Sequence, residues 1–383
     1  MKRITILGST GSLGKQALDV ISHTEDIQVA ALAAKSDIET LEKQIKQFQP
    51  DVAAVEDEKA ALELRRKLGN VRTEILAGRK GVIAAARCDA YQALNSLVGA
   101  AGLEPTLAVL DAGINLALAN KESLVAAGEL VMAKAKEKGV QILPIDGEHS
   151  AILQCLRGNE DNKIEKLYLT ASGGPFRGYT VEQLENVTPR DALNHPVWSM
   201  GKRITVDSAT LMNKGFEVIE AVWLFGVPID DVEVLVHPQG IIHSMVEFAD
   251  GAVMAQLGTP DMRLPIQYAI NYPKRLHGVL KKTDFTKIKE LNFEPPDTEN
   301  FPCLTIAREA FKAGGTAAAV LNAADEEAVK FFLEGKLKFV NIPKLIENTL
   351  MAYTVKKITN ADDILAADSW AREYAARGLG LFN

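Results

Sequence analysis

Residues 4–21 read ITILGSTGSLGKQALDVI, a short apolar run followed by three spaced glycines and a helix-forming segment. Residues 4–7 predict a strand and residues 15–21 predict a helix, so Gly8, Gly11 and Gly14 lie in the turn between them. Glycines allow a tight turn, and the backbone N–H groups at the start of the helix can bind a pyrophosphate. The stretch therefore predicts a dinucleotide-binding turn. The spacing is G-x-x-G-x-x-G, for which a plain glycine turn is the alternative.

The pattern around this stretch predicts the rest of the fold. Short apolar runs alternate with helix-length segments to about residue 146, which is typical of βαβ units around a parallel sheet. Strand-like runs and loops follow, then a proline-rich stretch, and from residue 303 apolar residues recur at helical spacing. We therefore predict an α/β protein with an N-terminal Rossmann-like domain (1–146), a central α/β domain (147–285), a linker (286–305) and a C-terminal α-helical bundle (306–383).

Composition excludes several classes of protein. The 383 residues are 47% hydrophobic and 24% charged, as in globular proteins, and 43 basic against 50 acidic side chains give a net charge of −7. A net negative chain does not favour nucleic acid or an anionic membrane as a partner. The three cysteines have no zinc-site spacing, and neither a signal peptide nor an apolar run of about 18 residues is present. We expect a soluble cytoplasmic protein that binds small molecules.

Two further segments are candidates for cofactor contacts. The second predicted strand ends at Ala34, Lys35 and Ser36, where a site for NAD would place an acidic residue on the ribose. A lysine and a hydroxyl suit the 2′-phosphate of NADPH instead, unless Lys35 is simply a solvated charge. Asn120, Lys121 and Glu122 begin another helical segment, and they could reach the nicotinamide ribose or cap that helix.

Carboxylates form the first candidate catalytic group. Asp146 and Glu148 follow the apolar run at 140–145, and their side chains point the same way if the chain stays extended there. Glu217 is a third candidate, in a helical segment. Carboxylate oxygens without clustered cysteine or histidine suit Mg²⁺ or Mn²⁺ rather than zinc. The alternative is two solvated loop acids and a surface glutamate.

Small polar residues form a candidate phosphate site. Ser172 precedes two glycines after a strand-like run, a loop that can bind phosphate or simply turn. Ser208, Asn213 and Lys214 provide hydroxyl, amide and ammonium donors within a few helical turns, or cap helices. Between them, residues 195–201 read HPVWSMG, which is either a buried segment or a lid that excludes water.

Together these motifs resemble the 1-deoxy-D-xylulose 5-phosphate reductoisomerases. The resemblance covers essentially the whole chain in the family's order, through GSTGSLG (8–14), NKES (120–123), PIDGEHSA (144–151), TASGGPFR (170–177), HPVWSMG (195–201), VDSATLMNKGFE (206–217) and GTPDMRLPI (258–266). It implies a homodimeric enzyme that uses NADPH and a divalent metal, with the central domain serving catalysis and dimerisation.

The resemblance also implies a role for each matching residue. It implies the metal ligands Asp146, Glu148 and Glu217, which with His195 and Lys214 form the catalytic set. It implies the substrate-binding residues Gly147, Glu148, Ser172, His195, Trp198, Met200, Ser208, Asn213, Lys214 and Glu217. It implies the cofactor-binding residues Gly8, Thr10, Gly11, Ser12, Leu13, Ala34, Lys35, Ser36, Asn120, Lys121, Glu122 and Gly201. Residues 195–201 match the family's flexible lid.

The chain departs from the family at two places. Gly147 stands where the family has serine, so a hydroxyl near the metal is missing, at a cost on the order of 1 kcal/mol. Ala34-Lys35-Ser36 stands where the family commonly has Gly-Lys-Asn or Gly-x-Asn, which changes the adenosine contacts without introducing an acid.

The implied reaction is the rearrangement of 1-deoxy-D-xylulose 5-phosphate and its reduction to 2-C-methyl-D-erythritol 4-phosphate in non-mevalonate isoprenoid biosynthesis. Two alternatives are a metal-independent NADPH reductase on the same scaffold and a non-catalytic NADP(H) sensor. The first would stay active in excess chelator, and the second would bind nucleotide without turnover.

Overall fold

The structure, a computed structural model, describes residues 1–196, 200–278 and 280–382. The first elements in chain order are β1 (Lys2–Leu7), α1 (Ser12–Ser22), β2 (Ile27–Ala34), α2 (Ile38–Phe48), β3 (Val52–Val55), α3 (Glu58–Leu68), β4 (Glu74–Ala77), α4 (Gly78–Ala86), β5 (Gln92–Asn95), α5 (Leu103–Asp111), β6 (Asn115–Leu118), α6 (Lys121–Lys138), β7 (Ile142–Pro144) and α7 (Gly147–Leu156). They are followed by β8 (Ile164–Ala171), α8 (Val181–Leu184), α9 (Pro189–Ala192), α10 (Lys202–Thr210), α11 (Met212–Phe225), β9 (Val232–Val236), β10 (Ile242–Phe248), β11 (Val253–Leu257), α12 (Arg263–Asn271), α13 (Cys303–Ala313), α14 (Ala317–Leu333), α15 (Ile342–Ala352) and α16 (Ala361–Gly378).

These elements form two compact units. The first contains Met1–Ser123, Val131–Ser150 and Asp261–Lys281. The second contains Leu124–Leu130, Ala151–Pro260 and the described chain from Lys282 onward.

The first unit is built on a parallel sheet. Its described strands form one seven-stranded sheet in the order β4-β3-β2-β1-β5-β6-β7. Ile4, Ile6 and Leu7 of β1 are fully buried although they point to opposite faces, because helices cover both sides of such a sheet. The strand order reverses between β1 and β5, and the carboxyl ends of strands at such a reversal are where open α/β sheets bind ligands.

Helix α12 completes the first unit from a distant part of the chain. It packs against α1 and β7. Arg263 Nη1 lies 3.0 Å from Asp19 Oδ2 of α1, and Gln92 Nε2 donates to Ala269 O at 3.1 Å. Nothing in the sequence pattern indicates these contacts, which join residues more than 170 positions apart.

The second unit combines a mixed sheet with a helical bundle. Its described strands form a sheet in the order β11-β10-β8-β9, in which β8 pairs parallel with β9 and antiparallel with β10. The unit's core extends from the sheet through α11 into α13, α14 and α15, where Phe332, Leu321 and Ile346 are almost fully buried.

The predicted fold class is confirmed: a Rossmann-like sheet precedes a mixed α/β region and a helical C-terminal region. The predicted boundaries at residues 146, 285 and 305 stay predictions. Among the described residues, no helix is both long enough and apolar enough to cross a membrane.

Candidate active site

The glycine turn after β1 has the tight geometry that the sequence predicts. Gly8 has φ +84°, and its N–H donates to Ala33 O of β2 at 2.9 Å. A Cβ on Gly14 would lie 2.3 Å from Gly8 O, so only glycine lets α1 approach the turn this closely. Helix α1 begins at Ser12, and its first backbone N–H groups lack intrahelical partners, as at every helix start. This turn and helix start contain Thr10, Gly11, Ser12 and Leu13, whose contacts with a pyrophosphate stay a prediction.

A buried glutamine holds this turn in place. Ser9 Oγ donates to Gln44 Oε1 at 2.7 Å, and Gln44 Nε2 donates back to Ser9 O at 2.8 Å. Ser9 is fully buried and Gln44 is 7% exposed. Gln44 was not among the predicted site residues, because its only signal in the sequence is a polar residue on the apolar face of α2.

The residues that match an adenosine 2′-phosphate site lie between β2 and α2. Ala34 is the buried end of β2, whereas Lys35 and Ser36 are exposed. Asp37 caps α2, because its Oδ1 accepts from Thr40 N at 3.0 Å. Hydrogen bonds from the Thr40 side chain and then from its backbone lower the pKa of Asp37. The nearest acid to Lys35 and Ser36 along α2 is therefore engaged in capping its own helix.

Asn120 and Glu122 hold a neighbouring loop. Asn120 caps α6, with its Oδ1 accepting from Ser123 N at 3.1 Å, and its Nδ2 donates to Leu97 O at 2.9 Å and Gly99 O at 3.1 Å. Glu122 Oε1 accepts from Gly99 N at 3.0 Å. The capping alternative is thus observed for Asn120, and cofactor contacts of Asn120, Lys121 and Glu122 stay predictions.

The carboxylates after β7 lie at a helix start. The condition of an extended chain is not met there, since α7 begins at Gly147 and Glu148 N donates to Asp146 Oδ1 at 3.1 Å. Lys121 Nζ pairs with Asp146, and His149 Nδ1 lies 3.6 Å from Asp146 Oδ1. Beyond its chain neighbours and the backbone of its own helix, no described heavy atom lies within 4 Å of a Cβ built on Gly147, so the position is open.

The second unit carries the third candidate ligand. Glu217 is 1% exposed on α11, where Lys214 Nζ lies 2.5 Å from its Oε2 and Asn213 Nδ2 donates to its Oε1 at 2.5 Å. Asn213 Oδ1 is buried and has no hydrogen-bond partner within the described residues. Asp146 pairs with Lys121 and Glu217 pairs with Lys214, so each ammonium group lies where a bound metal ion would also be attracted. The oxygen-only donors Asp146, Glu148 and Glu217 therefore fit a hard divalent metal.

The small-residue loop after β8 lies against α10. Gly173 and Gly174 have φ +89° and +68°, and a Cβ on Gly174 would lie 2.8 Å from Ser208 O. Ser172 Oγ lies 3.0 Å from His195 Nε2. The structure thus brings the Ser172 loop together with His195 and with the helix that carries Ser208.

A left-handed leucine joins the two helices of the candidate phosphate site. Leu211 has φ +63°, a conformation that costs a non-glycine residue roughly 1–2 kcal/mol. It ends α10 after Ser208 and starts α11 just before Asn213 and Lys214. Strain of this kind persists where the surrounding packing requires it, as at functional sites.

The charge of Lys214 affects the pKa values of two histidines, His195 and His243. Burial, and then the charge of Lys214, lowers the pKa of His195. His243 of β10 is 9% exposed, and burial and the charge of Lys214 lower its pKa as well. His243 was not among the predicted site residues, and its signal in the sequence is a histidine at a buried position of a strand.

The candidate lid is described only in part. Val197, Trp198 and Ser199 lie outside the described residues, so the predicted contacts of Trp198 stay predictions. Met200 is half-buried, and Gly201 is the N-terminal cap of α10. Contacts of Gly201 with a cofactor also stay a prediction.

Comparison with known proteins identifies the family. Residues 4–128 match a family model described as 1-deoxy-D-xylulose 5-phosphate reductoisomerase, and residues 142–225 and 257–374 match models of that enzyme's C-terminal domains. The chain is 54% identical over 374 residues to the enzyme of this name from Acetivibrio thermocellus, covering 97% of this chain and 98% of that one. It is 51% identical over 382 residues to that of Thermodesulfovibrio yellowstonii, covering 99% and 100%.

Solved structures agree with these relatives. The reductoisomerase from Zymomonas mobilis in complex with NADPH superposes with a TM-score of 0.93 at 42% identity, covering 99% of each chain. A reductoisomerase in complex with NADPH, fosmidomycin and magnesium gives 0.93 at 37% identity, covering 100% of this chain and 99% of the other. The predicted resemblance and enzyme class are confirmed. The chain therefore belongs to the 1-deoxy-D-xylulose 5-phosphate reductoisomerase family of isoprenoid synthesis.

Proposed function

We propose that this reductoisomerase uses NADPH and Mg²⁺ or Mn²⁺ to convert 1-deoxy-D-xylulose 5-phosphate into 2-C-methyl-D-erythritol 4-phosphate, through the residues described above. The observation that carries this assignment is the buried Glu217, held by Lys214 and Asn213. Beside it lies Asn213 Oδ1, which has no hydrogen-bond partner in the described part of the chain. A carboxylate this buried is costly unless a cation compensates it.

Asp146, Glu148 and Glu217 would hold the metal. When bound, the metal supplies Lewis-acid polarisation of the substrate's ketone and hydroxyl oxygens, and NADPH supplies the hydride. Lys121 pairs with Asp146, and Lys214 pairs with Glu217. Both ammonium groups place a positive charge beside a carboxylate of the proposed metal site.

Ser172, Ser208, Asn213 and Lys214 would bind the substrate's phosphate. Hydroxyl and amide groups supply hydrogen bonds, and the Lys214 ammonium supplies the charge that a dianion requires. Binding energy from the non-reacting phosphate orients the reacting carbons, which raises the rate of rearrangement. His195 contacts Ser172 and begins the lid.

The lid of residues 195–201 would exclude water from the bound substrate. We propose that Trp198 and Met200 form its apolar cover and that His195 closes on the substrate. Exclusion of water strengthens the polar contacts inside the site and prevents loss of a reactive aldehyde.

Most of the proposed NADPH contacts come from residues of the first unit. We propose contacts from the glycine turn to the pyrophosphate and from Ala34, Lys35 and Ser36 to the adenosine side. A third group of contacts would lie at the nicotinamide end and come from Asn120, Lys121, Glu122 and Gly201. The positive Lys35 and the absence of an acid at positions 34–36 favour NADPH over NADH. We further propose a homodimer, located in the cytoplasm.

The test is NADPH oxidation at 340 nm with 1-deoxy-D-xylulose 5-phosphate in Mg²⁺, in Mn²⁺ and in excess EDTA. We expect turnover that requires metal, and a loss of at least about a hundredfold in Glu217→Gln. Glu327→Gln is the matched control, because Glu327 is also a mostly buried helical glutamate paired with a lysine three residues away, Lys330, at 3.0 Å. Turnover in EDTA, or equal losses in both variants, would refute the metal assignment.

A further inference from the structure

The C-terminal helices take no part in the chemistry proposed so far, yet they contact both helices of the phosphate site. Arg203 lies in the first turn of α10, and its side chain is 15% exposed. Its guanidinium reaches three residues of α14: Asn322 Oδ1 at 2.8 Å, Asp325 Oδ2 at 3.2 Å and Glu326 Oε2 at 3.2 Å. Because the guanidinium is planar and contacts three acceptors at once, it fixes both the distance and the orientation of α10 on α14.

The acids around Arg203 are themselves held in place. Asp325 is fully buried, and Asp207, one turn further along α10, places its Oδ2 3.7 Å from Arg203 Nε. Glu326 also accepts from Arg372 of α16 at 3.0 Å. The group is therefore a network across three helices, in which Arg203 is the cation that α10 contributes.

A close contact places the second helix of the phosphate site. A Cβ on Gly215 of α11 would lie 2.5 Å from Ala307 Cβ and 3.3 Å from Cys303 O, both in α13. Only glycine lets α11 approach α13 this closely. The ring of Phe216, the next residue, lies 6.0 Å from Arg203 Cζ, so the two anchoring points adjoin.

We propose that the C-terminal helices set the spacing of the phosphate site, and that Arg203 and Gly215 are its positioning residues. This inference rests on the proposed function, in which α10 supplies Ser208 and α11 supplies Asn213 and Lys214. The donors of one dianion lie on two helices joined by a left-handed leucine, so a small shift of either helix misaligns them. Misplacement of about 1 Å can lower a rate a hundredfold.

Buried ion pairs often contribute little to net stability, so stability alone does not account for this network. A merely structural role would lower the melting temperature without changing the kinetics of the folded enzyme. A positioning role changes the affinity for phosphate.

The experiment compares Arg203→Lys, Gly215→Ala and the double variant Arg203→Met/Asp325→Asn with the native enzyme. The double variant removes a charge of each sign, which avoids leaving the buried Asp325 carboxylate unpaired. The measurements are kcat, the KM for 1-deoxy-D-xylulose 5-phosphate, the Ki for inorganic phosphate as a competitive inhibitor, and the Kd for NADPH by fluorescence.

We expect KM and Ki to rise together, by about tenfold or more, while the Kd for NADPH changes less than about twofold. The controls are Arg377→Met, which removes an arginine of α16 that pairs with Glu373 outside the network, and Gly378→Ala, where a Cβ would make an ordinary 3.4 Å contact with Leu345. Neither control should change Ki.

Unchanged KM and Ki in folded variants, with only a lower melting temperature, would overturn the inference. Equal changes in the controls would also overturn it, because the effect would then be general. Lys214→Met identifies a failure of the proposed function: if that variant leaves Ki for phosphate unchanged, the assigned phosphate site is wrong and the inference is overturned with it.

Discussion

Gln44→Leu should weaken the dinucleotide turn, even though Gln44 is a residue of α2 and not of the glycine motif. The substitution removes both hydrogen bonds between Gln44 and Ser9 and leaves the Ser9 hydroxyl buried without its acceptor. A buried polar group left unsatisfied costs about 1–3 kcal/mol, and each lost hydrogen bond about 1 kcal/mol. We expect the free energy of unfolding of the first unit to fall by about 2–4 kcal/mol.

A change of this size corresponds to a melting temperature lower by roughly 5–15 °C for a unit of this size. The turn binds the pyrophosphate in the proposed function, so the Kd for NADPH should also rise, by about tenfold, while Ki for inorganic phosphate stays unchanged. The measurements are thermal unfolding by circular dichroism and NADPH fluorescence titration.

Gln47→Leu is the matched control, because Gln47 is an exposed glutamine on the same helix. It should shift the melting temperature by less than about 2 °C, as is usual for surface substitutions. If Gln44→Leu behaves like Gln47→Leu, the paired hydrogen bonds do not hold the turn and the reasoning is wrong.

Three further predictions follow from the geometry. Gly14→Ala places a Cβ 2.3 Å from Gly8 O, so we expect NADPH binding to weaken at least tenfold by fluorescence titration, and unchanged binding would contradict the geometry assigned to the turn. Gly147→Ser fits the open space at that position. Because one added hydrogen bond stabilises the bound substrate by about 1 kcal/mol, we expect KM for 1-deoxy-D-xylulose 5-phosphate to fall by up to about fivefold in steady-state assays. A higher KM would refute this. Burial raises the pKa of Asp325 from its ordinary value of 3.8 to about 6, so the folded state holds a proton that the unfolded state has lost between these values. The stability this contributes is full below pH 4 and is lost as pH rises through 6. In denaturant titrations the unfolding free energy of the native enzyme relative to Asp325→Asn should therefore fall by about 3 kcal/mol across that range, and parallel pH profiles would contradict this.

The fold class was predictable because its signals are local. Buried parallel strands are continuous apolar runs, and the turn at Gly8 needs a residue that accepts positive φ, so both features show in short stretches of sequence. The candidate site residues could likewise be proposed because each lies in a contiguous motif.

Contacts between distant segments could not be predicted in the same way. Gln44 meets Ser9 and Arg203 meets Asp325 only because helices pack on a sheet or on one another. A buried glutamine or arginine on a helix has the same sequence pattern as a solvated one until its partner is known. The start of α7 at Gly147 was also missed, because a short apolar strand followed by acids fits an extended end as well as a helix cap.

The return of α12 to the first unit has a consequence for how the chain is made. The first unit draws on residues up to Lys281, so the ribosome must complete nearly three quarters of the polypeptide before that unit can close. Until then the surface that α12 covers, including Gln92 and its neighbours on the sheet, stays open to solvent and to other nascent chains. A fragment ending at residue 150 would keep every strand of the parallel sheet and still be an incomplete folding unit.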